Sequence, residues 1–536
     1  MSRRPVTFVV VVALLGISGQ ALAQGTCESL AALKLPNTTI TLAQTVAAGA
    51  LVLPPGAPGA PPMDFGSLPA FCRLAATVKP TKDSDIRIEV WMPASGWSGR
   101  LRSVGNGGFA GAIGYGAMSP RLQLGDAAAS TDTGHPISQE RRVDASWALG
   151  HPEKMTDFGF RAVHEMTQLA KAVIKAFYGT DPRYSYFESC SNGGRQALME
   201  AQRYPQDYDG ILAGAPANFW THAGIWANAL APALDRGGYI PATKLPAIAR
   251  AVNAACDAAD GVADGILNDP RTCHFDPATL LCTNGDSSQC LTQPQVSVLK
   301  ALYAGPHDAK GRAFYPGVLP GAEEGPGGWG LWIIGPAPGK GLIPEFGRGL
   351  FSDMVYANPD WDFKDTPVDE AVEAADAKTA KVLNATDSNL TAFKARGGKL
   401  ILYHGWNDPA LSALNTVNYY SSVERRMGTR ETATFMRLYM VPGMQHCAGG
   451  PGPNNFGQPI NESVEHAISR NNIEVALQQW VEKGVPPSSI IATKYVDDDP
   501  KKGVKMTRPL CPYPQAAMWM GKGSTDDAAN FVCKAP

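Results

Sequence analysis

Ser191 lies in the run Ser189-Cys190-Ser191-Asn192-Gly193-Gly194, with small residues on both sides. A serine turns nucleophile when a tight strand-to-helix turn aims its Oγ outward, and such a turn has room only for small neighbours. Here Ser189 stands where the usual G-x-S-x-G pattern has its first glycine. Acyl transfer by this serine needs a base to take its proton and an acid to orient the base, and in this architecture they follow in the order acid, then base. Asp408 follows the run Lys399 to Tyr403 through His404-Gly405-Trp406-Asn407, and His446 follows Met436 to Val441 through Pro442-Gly443-Met444-Gln445. Each therefore sits on a loop just past an expected strand. His446 is expected to take the Ser191 proton and give it to the leaving alcohol, while Asp408 fixes the imidazole tautomer and stabilises its cation.

The cysteines supply an independent check. Cys190 directly precedes Ser191 and Cys447 directly follows His446. A disulfide between them ties the nucleophile's turn to the base's loop. All 10 cysteines lie after residue 26, an even number that favours full pairing in an exported chain. Cys256/Cys273, Cys282/Cys290 and Cys511/Cys533 are near neighbours, which leaves Cys27/Cys72 at the start and Cys190/Cys447. The CxxC pairs typical of a zinc site are absent.

The tetrahedral oxyanion needs backbone N–H donors. One is expected from Asn192, after the nucleophile. The other is expected from Gly107 in the loop Gly105-Asn106-Gly107-Gly108, where missing side chains permit close approach. These glycines do not fit the dinucleotide fingerprint G-x-G-x-x-G. Between Cys256 and Cys273, the carboxylates of Asp257, Asp260 and Asp264, with the carbonyls of Val262 and Ile266, make an oxygen donor set suited to a structural Ca²⁺. The loop lacks the terminal Glu of an EF-hand. Three further histidines are read as structural: His135, which precedes the nucleophile; His164, which lacks a zincin's second histidine; and His404, at a strand end.

Positioning these groups requires a particular order of elements. Ile86 to Met92 alternates apolar and polar residues as a half-buried strand does, and Arg100 to Val104 is a short strand running into the Gly105 loop. Val163, Met166, Leu169, Val173 and Phe177 have helical spacing, with Gly179 as the stop. Tyr184 to Glu188, Gly193 to Tyr204 and Tyr208 to Leu212 then read strand, helix, strand. This alternation predicts an α/β fold with a mostly parallel sheet. Residues 217–394 lose the rhythm and hold four cysteines, five Trp and the Gly/Pro-rich stretch Gly317 to Gly341, so they are read as an inserted lid. The catalytic domain is then 24–216 with 395–536.

With 47 Lys plus Arg against 49 Asp plus Glu, the chain offers no electrostatic footprint for nucleic acid. Arg3 and Arg4, the apolar run Phe8 to Ile17 and Ala21-Leu22-Ala23 read as a signal peptide cleaved after Ala23, of the general or twin-arginine type. The run is shorter than the roughly 20 residues that span a bilayer. The mature protein is therefore expected beyond the inner membrane, periplasmic or secreted, with no span. Nothing in the sequence sets its oligomeric state.

Together these pieces resemble the tannase/feruloyl esterase family. The match is carried by Cys190-Ser191-x-Gly193-Gly194, Asp209-Gly210 with Ala213-Gly214-Ala215-Pro216, the Asp257 to Ile266 run, Tyr403-His404-Gly405 through Asp408, Val441-Pro442-Gly443-Met444-x-His446-Cys447, and Arg508-Pro509-Leu510-Cys511-Pro512-Tyr513-Pro514. The resemblance implies an α/β-hydrolase fold with a large lid, a Ser191-His446-Asp408 triad beside a Cys190–Cys447 bridge, and a lid calcium at Asp257, Asp260, Val262, Asp264 and Ile266. It also implies a small-molecule substrate, an ester of a hydroxylated aromatic acid such as ferulate or gallate. In the family's MHETase branch, which cleaves terephthalate monoesters, an aromatic residue follows the acid; here Leu411 takes that substrate-side place, and no lid arginine for a free carboxylate is evident. Trp329, Trp332, Phe351 and Tyr356 are candidates either for a flat aromatic pocket or for lid core. The alternatives are an MHETase-like monoesterase and a non-catalytic calcium-stabilised binding module.

Overall fold

The alternation Ile86-Arg87-Ile88-Glu89-Val90 becomes β3 (Ile86–Pro93), one of nine strands in the central sheet of the computed structural model. That structure describes residues 25–53, 63–136, 143–308, 310–459 and 471–535, so the expected signal peptide lies outside the described residues. The other strands are β1 (Thr38–Val46), β2 (Phe71–Val78), β4 (Arg100–Val104), β5 (Ala127–Thr131), β6 (Tyr184–Cys190), β7 (Gly210–Gly214), β8 (Lys399–Gly405) and β9 (Met436–Val441). Their order is β1-β2-β3-β5-β4-β6-β7-β8-β9. β1, β2, β3 and β5 pair antiparallel, and every pair from β5 to β9 is parallel. This is the α/β-hydrolase arrangement expected above.

Successive residues of a strand face opposite sides of the sheet, so a strand buried on both faces reads as a continuous apolar run. In Leu400-Ile401-Leu402, Leu400 and Leu402 join the core under the helices Ala162–Tyr178, Asn192–Arg203 and Ala413–Met427. Ile401 points to the other face, against Leu477 and Trp480 of the helix Ile473–Lys483. The helix Ala162–Tyr178 buries Val163, Met166, Leu169, Val173 and Ile174, and Gly179 ends it at φ 78°. That left-handed angle suits glycine at a helix C-terminus.

The chain leaves the sheet after Gly214 and returns at Lys399, yet β7 and β8 are direct neighbours. Residues 217–394 therefore form a long excursion over the C-terminal ends of the parallel strands. Trp220, Ile248, Val252, Leu299, Trp329 and Phe351 help give this excursion its own apolar core. All five expected disulfides are present: Cys27–Cys72, Cys190–Cys447, Cys256–Cys273, Cys282–Cys290 and Cys511–Cys533. Among the described residues no helix is long and apolar enough to cross a membrane.

Candidate active site

β6 ends at Cys190 and the next helix begins at Asn192, so Ser191 alone makes the turn. Its φ of 67° and ψ of -125° lie where side-chain-bearing residues rarely sit, at a cost of order 1–3 kcal/mol. The surroundings enforce the strain. Ser191 N–H donates to the Gly214 carbonyl at 2.9 Å, and the Ser191 carbonyl accepts from Ala217 N–H at 3.1 Å. A Cβ on Gly193 would lie 1.9 Å from Ser189 Oγ, and one on Gly194 would lie 2.2 Å from the Gly214 carbonyl oxygen. Those clashes explain the paired glycines and show that Ser189, in the place of the usual glycine, is accommodated by Gly193.

Asp408 is buried at the end of β8, and its Oδ2 accepts a hydrogen bond from His446 Nδ1 at 2.7 Å. Its Oδ1 accepts from the N–H groups of Ala410 at 2.7 Å and Leu411 at 3.0 Å. Burial pushes the carboxyl up, but His446 and the hydrogen bonds from His404 and His446 outweigh it and hold Asp408 well below the usual carboxylate range. Asp408 is thus an anion in the folded protein. With Nδ1 committed to Asp408, His446 keeps Nε2 for the cleft it shares with Ser191.

That cleft opens to solvent and is lined by Ser191, Asn192, His446, Gly108, Leu411 and a set of apolar side chains from the excursion. Asn192 opens a 12-residue helix, so its N–H is among the first four without an intrahelical acceptor. Gly108 rather than Gly107 is on the cleft wall, at φ 55°. Leu411 lines the cleft, as expected. Of the four aromatic candidates only Trp332 does, its ring 4.6 Å from that of His446 and nearly perpendicular. Trp329 packs on Tyr303, and Phe351 and Tyr356 stack around Trp361, so these three are core.

The rival histidines are accounted for. His135 is buried against Trp147 with Nε2 2.7 Å from the Phe109 carbonyl, and burial pushes its pKa down to about 4. His164 stacks on Tyr204 and pairs with Asp207 at 2.6 Å. His404, however, reaches Asp408 Oδ2 at 3.0 Å. The sequence reading treated it as packing alone, although its i,i+4 spacing to Asp408 was the available signal.

The sequence reading also missed how the excursion holds the two catalytic loops. Asn407 donates to the carbonyls of Pro320 at 2.7 Å and Gly321 at 2.8 Å, and Ser412 to that of Gly317 at 2.6 Å. Gln445, beside His446, donates to the Ala322 carbonyl at 2.8 Å. The Gly/Pro-rich stretch is thus a strap whose bare carbonyls clamp residues flanking both Asp408 and His446.

In the calcium-type loop, Asp260 Oδ1 and Oδ2 accept from the N–H groups of Val262 and Asn268, both at 3.0 Å, and Asp264 Oδ2 accepts from Arg508 at 2.6 Å. Burial, and after it the neighbouring carboxylates of the loop, push the Asp260 and Asp264 carboxyls up. Asp260, Val262, Asp264 and Ile266 line one small cavity, with Arg508 also on its wall.

A serine elbow after β6 of a parallel sheet, with an aspartate after β8 and a histidine after β9, defines an ester hydrolase of the α/β type. The chain matches the family described as tannase and feruloyl esterase over residues 72–534, and it belongs to that family. It is 41% identical to an uncharacterized esterase of Xanthomonas campestris pv. campestris, covering 96% of this chain and 92% of that one. It is 32% identical to a probable feruloyl esterase B of Aspergillus clavatus, with 97% and 98% covered. The crystal structure of feruloyl esterase B from Aspergillus oryzae superposes with a TM-score of 0.85 at 29% identity, covering 95% of this chain and 100% of that one. The protein is a carboxylic ester hydrolase.

Proposed function

We propose that Ser191, His446 and Asp408 are the catalytic triad of an exported esterase that releases aromatic acids from alcohol or sugar esters. The observation that carries this reading is the shared cleft of Ser191 and His446, with His446 Nδ1 fixed on Asp408. Ser191 Oγ attacks the ester carbonyl as His446 Nε2 takes its proton. The oxyanion rests on the Asn192 N–H and on a donor of the Gly107–Gly108 segment, with Gly108 the residue at the wall. The alcohol leaves with the proton from His446, and water repeats the cycle on the acyl-enzyme.

The lining favours an aromatic acyl group without free charge. Trp220, Trp332, Ile343, Phe346, Leu350 and Leu411 contribute apolar surface, and among the described residues no Lys, Arg, Asp or Glu lines the cleft. A terephthalate monoester would bury a carboxylate without a cation, which costs several kcal/mol. A galloyl ring would bury hydroxyl donors where, among the described residues, the one amide side chain of the lining, Asn192, already accepts from Arg195 at 2.8 Å, at about 1–3 kcal/mol each. With methyl ferulate, chlorogenate, methyl gallate and a terephthalate monoester compared side by side, kcat/KM is expected highest for the feruloyl ester, lower for the caffeoyl ester with its second hydroxyl, and roughly tenfold or more below ferulate for gallate. Gallate in first place would overturn this view of the pocket.

Asp257, Asp260, Asp264 and the carbonyls of Val262 and Ile266 are the residues that would hold a structural Ca²⁺, which would brace the loop between Cys256 and Cys273. Chelation by EGTA is expected to lower the Tm by about 3–5 °C, with recovery on adding Ca²⁺ but not Mg²⁺. A Tm insensitive to both treatments would remove the ion from the description. Export is supported by the basic, apolar and small-residue pattern before Gln24 and by five disulfides, which persist in oxidising compartments.

A further inference from the structure

Asp408 is gripped by two histidines. Its Oδ2 faces His446 Nδ1 at 2.7 Å and His404 Nε2 at 3.0 Å, while its Oδ1 takes the two backbone donors of Ala410 and Leu411. His404 sits on β8, and its side chain is fully buried. Its ring is held at both nitrogens: Nε2 also lies 3.1 Å from the Leu411 carbonyl, and Nδ1 lies 2.7 Å from Thr416 Oγ1 on the helix Ala413–Met427.

The partners settle the proton's place. A ring nitrogen that faces a carboxylate oxygen and a carbonyl oxygen sees acceptors only, so Nε2 carries the hydrogen. Nδ1 faces a hydroxyl, which can donate to it. With the hydrogen on Nε2, both ring nitrogens have partners. We propose that His404 is a positioning residue: pinned by Thr416, its Nε2–H donates to Asp408 Oδ2 and fixes the carboxylate at the angle His446 requires. This rests on the triad assigned above.

The device resembles the outer partners that orient metal-bound histidines, whose loss typically costs 10–100-fold. It also sets basicity, because a carboxylate with one donor fewer carries more charge toward His446 and stabilises its imidazolium more strongly. The titratable groups facing Asp408 are His446, His404 and, from the excursion, Tyr315, whose phenol burial first and Asp408 second keep neutral.

The test is the pH profile of kcat/KM for methyl ferulate in His404→Leu, His404→Gln and Thr416→Val, each with its Tm. The Leu variant is expected to lose about 10–100-fold in kcat with KM little changed, and its acid limb should move up by about half a pH unit. Gln carries an amide N–H near the position of Nε2 and should restore most of the kcat and the parent limb. A folded Leu variant with parent kcat and limb overturns the proposal, as does a Gln variant no better than Leu at equal Tm. Thr416→Val keeps the volume and leaves His404 in place, which covers a Leu variant that does not fold. It is expected to show a several-fold lower kcat and a displaced limb; parent values of both overturn the proposal. Ser191→Ala assayed in parallel separates the two readings, since turnover there would defeat the triad itself and not only the role of His404.

Discussion

Ser191→Ala is expected to lower kcat by about 10⁵-fold or more while leaving the fold and the Tm close to the parent's. The size follows from the triad acting as a unit: without the Oγ there is nothing for His446 to deprotonate, and only the oxyanion donors and substrate binding remain. The neutrality toward folding follows from the turn. Alanine has the same Cβ as serine, so the strain at φ 67° is unchanged, and the hydrogen bonds that enforce it run through the Ser191 main chain. The parent should label stoichiometrically with a fluorophosphonate probe and the variant should not. Retained turnover, or labelling at another residue, sinks the assignment of Ser191.

What the sequence made legible and what it hid differ in kind. The elbow, the two strand-end loops and the cysteine pairing depend on local spacing, and the structure joins Asp408 to His446 and Cys190 to Cys447 as spacing implied. The nine-stranded order includes the crossing in which β5 lies between β3 and β4, a long-range pairing that no window of sequence encodes. The buried ionic cluster under β6 was likewise invisible. Arg102 meets Asp126 at 2.5 Å and Arg121 meets Glu474 at 2.6 Å, from positions up to 353 residues apart. Aromatic residues of the excursion were the least decidable, because a Trp in a core and a Trp in a pocket have the same composition. Only the placement of Trp332 against His446, with Trp329 turned onto Tyr303, separates them. Gly107 and Gly108 are equivalent in the sequence, and the backbone puts Gly108 on the cleft wall.

Removing the Cys190–Cys447 bridge by Cys190→Ala with Cys447→Ala is expected to damage activity far more than removing Cys511–Cys533 in the same way. Chain entropy gives the first part of the difference. The bridges close separations of 257 and 22 residues, worth roughly 5 and roughly 3 kcal/mol as upper figures in the loop-closure account. The small bridges inside the larger loop shorten it only slightly. Location gives the second and larger part. Cys190 adjoins Ser191 at φ 67°, and Cys447 is itself at φ 63° beside His446, so the bridge joins two turns that each store strain. Without it both are free to relax, and a displacement of about 1 Å between nucleophile and base costs on the order of 10²-fold in rate. The Cys511–Cys533 bridge packs instead with Val262, Ala517 and Phe531 in a small satellite core near the acidic loop, away from the cleft. The double variant at Cys190 and Cys447 should therefore lose about 10–100-fold in kcat at a temperature where it remains folded, and the variant at Cys511 and Cys533 should lose Tm with kcat within about threefold. Equal losses of kcat in the two would show that the bridge beside Ser191 contributes stability alone, and the strap of carbonyls from Gly317 to Ala322 would then be what holds the base in register.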